Sequence, residues 1–209
     1  MNTPVLKNIL AVFFVLCLLA CKSDQVKNII EEKIDYDKYE DYYENFEYMN
    51  KKLGLKILFD SEWSILTRYK DFENYQKKYV RYVTTEKSEV LFIGANDTKK
   101  IGVRCYCETG GLSNDAFVKT IKELNADEIS KYNITVIKEE PVTLKNFESI
   151  NLVTQTTLNP KNIFVFDTII FKNNNLNYRL DFWCSKDIYD LNKDYIFQLF
   201  QQVDFEMPE

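Results

Sequence analysis

The 209-residue chain contains no histidine. That removes the side chain most often used as a general base near neutral pH, the commonest metal ligand, and any Ser-His-Asp or Cys-His arrangement. Only five glycines are present, and none falls in a GxGxxG or GxxxxGK spacing, so phosphate-cradling loops of those types are absent. Positive charge is also short: 27 Lys and Arg stand against 32 Asp and Glu, a formal net charge of -5. Nucleic-acid binding draws its affinity from clustered Lys and Arg, so no nucleic-acid partner is expected. The same deficit argues against a basic patch for anionic lipid. Carboxylate pairs such as Glu139 and Glu140, or a lone strand carboxylate such as Asp181, occur by chance in a chain with 28% charged residues. No catalytic residue is assigned, and no enzymatic activity, cofactor or metal is expected.

Long apolar runs are absent but for one. From Ile9 to Cys21 no side chain is charged or polar, and Lys7 precedes the run. It is too short to span roughly 30 Å of hydrocarbon, which takes about 20 apolar residues. A basic start, an apolar centre and small residues before a junction make the pattern of a secretory signal. Its last four residues, Leu18-Leu19-Ala20-Cys21, resemble the lipobox of bacterial lipoprotein precursors. That resemblance implies cleavage before Cys21, acylation of Cys21, and a lipid bilayer as the first partner. Several acyl chains at about 0.8 kcal/mol per buried methylene hold a chain firmly at a membrane. Cys17 then leaves with residues 1–20, and so does Lys7, which takes the net charge from -5 to -6. Lys22 and Ser23, with no Asp directly after the cysteine, resemble the sorting pattern for outer-membrane delivery.

Residues 21–52 form the next unit. After Cys21 they carry nine acidic and six basic residues and no Gly or Pro. Ile29, Ile30, Ile34, Tyr36, Tyr39, Tyr43 and Phe46 recur near helical spacing. The spacing predicts a partly helical, Tyr-rich arm, with the stripe either docking on the chain's own domain or contacting a partner.

Residues 53–209 read as one α+β domain. "LKILFD" and "WSILTR" predict a short hairpin around Asp60 to Glu62, and "SEVLFIGAND" and "KKIGVRCYCE" a second across Asn96 to Lys100. Ser113 as N-cap, Asp115 in the first turn, and Phe117, Ile121 and Leu124 on one face predict a helix. A meander follows: "NITVIKEE", "FESINLVTQTTL", "NIFVFDTIIF" and "LNYRLDFWC", with turns at Leu144 to Asn146, Asn159 to Asn162 and Asn173 to Asn175. "IFVFDTIIF" is apolar on both strand faces, which predicts an antiparallel sheet covered by helices on both faces. A last helix is expected over Lys186 to Gln202 with Ile188, Leu191, Tyr195, Leu199 and Phe200 on one stripe. Trp63 and Leu199 are expected in the core.

Three further cysteines lie in this domain. Ile101, Val103, Cys105 and Cys107 share one strand face, and Arg104, Tyr106 and Glu108 the other. Two residues apart on a strand, the β-carbons of Cys105 and Cys107 sit about 6.6 Å apart, against about 3.8 Å in a disulfide. They are not expected to bridge each other. A bridge from either to Cys184, or three buried small hydrophobes, both fit the pattern.

"FDSEWSIL", two strands, a helix, a long meander and a terminal helix ending in "FQQVDFE" resemble the PsbP/Mog1/DcrB-like fold over roughly Leu53 to Phe205. Members of that family often carry a proline where this chain has Asp60, and often a Gly where it has Asn146. The resemblance implies an accessory or binding protein with no shared catalytic centre. Taken together, these expectations describe an envelope lipoprotein that binds an unidentified envelope protein. The alternative is a carrier of a small ligand or lipid.

Overall fold

The fold comes from a computed structural model that describes residues 41–67, 88–124, 133–145, 147–159 and 162–206. Strands β1 (Asp41–Glu44), β2 (Glu47–Asn50), β3 (Leu55–Leu58) and β11 (Val203–Phe205) make a four-stranded sheet in the order β1-β2-β3-β11. Strands β4 (Trp63–Thr67), β5 (Ser88–Asn96), β6 (Ile101–Thr109), β7 (Thr135–Leu144), β8 (Phe147–Asn159), β9 (Asn162–Asn173) and β10 (Leu176–Ser185) make a seven-stranded sheet, ordered β4-β5-β6-β10-β9-β8-β7. Helices α1 (Asn114–Leu124) and α2 (Lys186–Phe200) are the two among the described residues. Every strand pairing among the described residues is antiparallel.

The main core lies between the two sheets and under α2. Tyr48, Leu55 and Ile57 enter it from the small sheet, Val103, Cys105, Phe171, Leu180 and Phe182 from the large one, and Ile196, Leu199 and Phe200 from α2. Its rings interlock: Tyr48 meets Phe92 at 4.5 Å between centroids, Phe182 meets Phe200 at 5.3 Å, and Phe171 stacks on Tyr178 at 5.2 Å. A second cluster joins Phe117, Val118 and Ile121 of α1 to Ile150, Leu152 and Ile170. Ile170 belongs to this cluster while Ile169 and Phe171 belong to the main core, so the two-face apolarity of "IFVFDTIIF" is used by neighbours on opposite sides of β9. The expectation of an α+β, sheet-rich fold holds at that level.

Turn chemistry follows the sequence at several joints. Asn96 pairs with Ile101 across a turn whose last residue, Lys100, sits at φ +59°. Asn173 pairs with Leu176, so Asn174 and Asn175 form a two-residue turn, with Asn174 at φ +53°. Asn tolerates that left-handed region better than most residues. At α1, the Ser113 hydroxyl accepts from the Ala116 amide at 3.3 Å, as its N-cap role requires.

Three expectations are corrected. "LKILFD" and "WSILTR" do not pair: β3 lies between β2 and β11, while β4 pairs with β5. The chain bends between the two sheets at Phe59 to Glu62, where the Trp63 amide donates to the Asp60 carbonyl and the Glu62 amide to the Asp60 carboxylate. Residues 41–50, placed in a helical arm by their spacing, form the β1-β2 hairpin instead. Pairing of Glu47–Asn50 with β3 overrides the local helical pattern; residues 21–40 of the arm lie outside the described residues. On α2, Leu191 is 82% exposed, whereas Ile196, Leu199 and Phe200 are buried. The buried stripe passes through Ile188 and Ile196, one position away from Leu191.

Candidate functional site

The outward face of the large sheet, opposite the main core, carries an unusual set of side chains for a strand centre. Register sets Arg104 across from Asp181 and Tyr106 across from Arg179 on β6 and β10. Thr168 of β9 lies on the other side of Asp181. Asp181 is fully buried and accepts three hydrogen bonds: from Arg104 Nε at 2.8 Å, Arg179 Nε at 2.7 Å and Thr168 Oγ1 at 2.8 Å. Both guanidinium groups stand over the Tyr106 ring, at 5.2 Å and 5.4 Å from its centroid, and Arg104 also faces Trp183 at 5.4 Å. Trp183 lies across Gly102, where any Cβ would collide with the indole.

Two cations share one carboxylate here. Burial acts to push the Asp181 carboxyl up, but the charges and hydrogen bonds of Arg179 and Arg104 outweigh it and hold it below the ordinary range. The group is therefore an anion at neutral pH. Burial is also the main reason the Tyr106 hydroxyl is pushed up, so it stays a neutral phenol.

Next to this trio, the strand after it ends under a clipped loop. Asn177 accepts from the Leu112 amide and donates to the Leu112 carbonyl, both at 2.9 Å, and Lys172 Nζ donates to the Gly111 carbonyl at 2.6 Å. Gly111 adopts φ +58° against Asn175, a position that a side chain would strain and crowd. The loop leads into α1, where Asn114 Nδ2 donates to the Glu148 carbonyl at 3.0 Å.

The other polar clusters hold α2 in place. Trp63 Nε1 donates to the Tyr195 hydroxyl at 2.7 Å, and that hydroxyl donates to Asp60 Oδ2 at 2.6 Å. Burial, and after it the Asp60 carboxylate, raises the Tyr195 hydroxyl above the usual phenol range. Facing the core, Asn151 Nδ2 donates to Asp167 Oδ1 at 2.6 Å and the Tyr189 hydroxyl to Asp167 Oδ2 at 3.0 Å.

Cys21, the predicted lipidation residue, lies outside the described residues. Cys105, Cys107 and Cys184 are free and buried. Cys105 pairs with Leu180 on β10, four residues from Cys184 and so about 13 Å along the strand. Burial pushes the Cys107 and Cys184 thiols up to about 12, which leaves them unreactive. Glu139 is paired with Lys122, and Glu140 with Lys138 at 2.7 Å. Tyr43 of the predicted stripe packs edge-on against Phe59 and donates to the Trp63 carbonyl at 3.3 Å, so it docks on its own domain; Tyr39 lies outside the described residues. Among the described residues no group of three or more His, Cys, Asp or Glu is placed to hold a metal ion, and no helix is long and apolar enough to cross a membrane. Of the trio, the sequence marks Asp181 as a carboxylate and puts Arg104 on the strand face opposite Cys105, but does not single out Arg179. The signal was present: "YRLDFW" puts two charges two residues apart on one face of a strand whose other face is apolar.

No family model matches the chain, and no curated protein does. Among solved structures, the chain is similar to cyanobacterial PsbP (CyanoP) from Synechocystis sp. PCC 6803, with a TM-score of 0.53, 10% identity, and coverage of 90% of this chain and 99% of that one. It also matches the Ran-binding protein Mog1p of Saccharomyces cerevisiae, with a TM-score of 0.42, 5% identity, and coverage of 78% of this chain and 91% of that one. The chain has a PsbP-like fold. At such identity, the fold is what is shared.

Proposed function

We propose that the protein is an envelope lipoprotein, anchored through acylated Cys21, whose PsbP-like domain works by binding and has no catalytic turnover. The observation that favours a partner-binding module over a carrier is the ring packing between the large sheet and α2 among the described residues. A carrier needs an enclosed apolar space of several hundred cubic ångströms, and the cleft between sheet and helix where one would sit is occupied by the Phe182–Phe200 and Trp63–Phe182 contacts at 5.3 Å and 5.6 Å. The buried Asp167 and Asp181 and the half-buried Tyr195 also support the reading, since each serves bonds that hold strands and α2 together.

The test has two arms. Cys21→Ala should block processing and leave an unlipidated precursor that keeps its apolar segment; mature protein from that variant, or mature wild type without acyl mass on Cys21, rules the anchor out. A broad hydrolase screen of the purified protein should show no turnover. Reproducible turnover that disappears on changing one carboxylate would overturn the binding reading.

A further inference from the structure

The β1-β2 hairpin ends in an exposed aromatic residue that its own backbone disfavours. Glu44 pairs with Glu47, so Asn45 and Phe46 are the two loop residues, and both have positive φ, at +51° and +65°. Such a loop takes Asn readily at its first position, but its second favours Gly, because a Cβ is strained in the left-handed region. Phe46 is held there all the same, since its carbonyl accepts from the Phe59 amide at 2.7 Å. The ring gains little from the domain in return. It is 49% exposed and stands outside the ring contacts that join Tyr43, Phe59 and Trp63. Leu58, 43% exposed, lies across from Glu47 and so beside Phe46. Strain that brings no internal packing points to a contact outside the domain.

The place of this tip in the chain says what it meets. β1 is the first described element after Cys21, and Asp41, where it starts, lies twenty positions beyond that cysteine. Twenty residues reach at most about 70 Å even when fully extended, so an acyl anchor at Cys21 keeps the hairpin within that distance of the membrane. An aromatic ring with a leucine beside it suits the boundary between headgroups and acyl chains, where binding grows with the apolar area buried. The local charge selects the kind of bilayer. Glu44 is exposed beside the ring, and Lys56, two residues from Leu58, is held by Glu47 at 2.9 Å and Glu206 at 3.4 Å. Neutral lipid is therefore the surface it fits. We propose that Phe46 and Leu58 dock the hairpin tip on the bilayer that carries the Cys21 anchor, which turns a tethered domain into an oriented one. This rests on the anchor reading above and leaves the other faces of the domain to the protein partner.

The test uses the mature lipidated protein in phosphatidylcholine vesicles, once mass spectrometry has found the acyl mass on Cys21. A thiol-reactive fluorophore is placed at Glu44→Cys or, for comparison, at Ile137→Cys on β7, the opposite edge of the large sheet from β4. Cys105, Cys107 and Cys184 are buried and stay unlabelled. Nitroxide-labelled lipid should quench the probe at 44 several-fold more than the probe at 137. Phe46→Gly should bring quenching at 44 down to the level at 137 without lowering the midpoint in urea, since glycine relieves the loop and keeps the backbone bond to Phe59. Phe46→Trp should retain the quenching. Equal quenching at the two positions, or quenching unaltered by Phe46→Gly, overturns the contact, and a lower midpoint for Phe46→Gly would make the ring a packing element instead. A probe at 44 that native envelope membranes shield from a water-soluble quencher, while nitroxide lipid does not reach it, also overturns the proposal, for then a protein covers the tip. None of these results bears on the anchor itself, which the acyl mass on Cys21 decides separately.

Discussion

At Gly102 a single missing side chain lets an indole lie on a strand. A Cβ there would meet Trp183 ring carbons at 2.2 Å and 2.3 Å, far inside contact distance, and the ring has Arg104 on its flank. Gly102→Ala should therefore destabilise the fold by about 1 to 3 kcal/mol, the usual cost of overpacking, read as a lower midpoint in urea with an unchanged slope. A neutral result would mean that Trp183 swings away at little cost. Asp181 gives a residue-scale prediction in pH. Its folded value lies below its ordinary one, so the folded state binds its proton less tightly than the unfolded chain. The stability it contributes is complete above about pH 4 and is lost as pH falls through the folded value. Asp181→Asn should be less stable than wild type at neutral pH, with the difference shrinking below about pH 4. Parallel pH profiles for the two proteins would show that Asp181 is not held ionised by its arginines.

Helix α2 separates what periodicity can and cannot say. Leu199 and Leu191 both fall on the expected apolar stripe, yet Leu199 is in the core while Leu191 faces solvent. Leu199→Ala should cost about 2 to 5 kcal/mol through lost burial and the cavity left behind. Leu191→Ala should stay within about 0.5 kcal/mol of wild type. Chemical denaturation of the pair checks the register directly, and similar losses for both would contradict the orientation of α2. The same limit explains which elements were legible in advance. The β5-β6 pair and the Asn turn between β9 and β10 announce themselves through local chemistry: turn residues between strands that then pair with each other. β3 and β4 were misjoined because the sequence shows two apolar runs and a turn, but not that Phe59 to Glu62 carries the chain from one sheet to another. The Arg104–Asp181–Arg179 trio was only partly legible for a related reason. Arg104 and Arg179 come from strands far apart in the chain, and pattern alone does not reveal that β6 and β10 are neighbours.

At the scale of the whole molecule, the point at issue is where the folded unit begins. Composition places a boundary at residue 53, after a charged stretch without Gly or Pro. The hairpin before that point is nevertheless part of the fold: Tyr48 is fully buried against Phe92, β2 pairs along β3, and Tyr43 reaches the Trp63 carbonyl. Removing β1 and β2 would expose the β3 edge and empty a tyrosine's volume from the main core. Large-to-small changes of aromatic core residues alone cost about 3 to 5 kcal/mol, against a total stability of about 5 to 15 kcal/mol for a typical domain. A chain of residues 53–209 should therefore unfold at much lower denaturant than one of residues 41–209, or aggregate through its unpaired strand edge. The longer chain should melt cooperatively in a single transition. Tyr43→Ala in that longer chain should lower the midpoint as well, since its ring and hydroxyl both contact the domain. Equal midpoints for the 41–209 and 53–209 chains would mean that the hairpin is an appendage, and would return the Tyr43 segment to the role of a free contact arm.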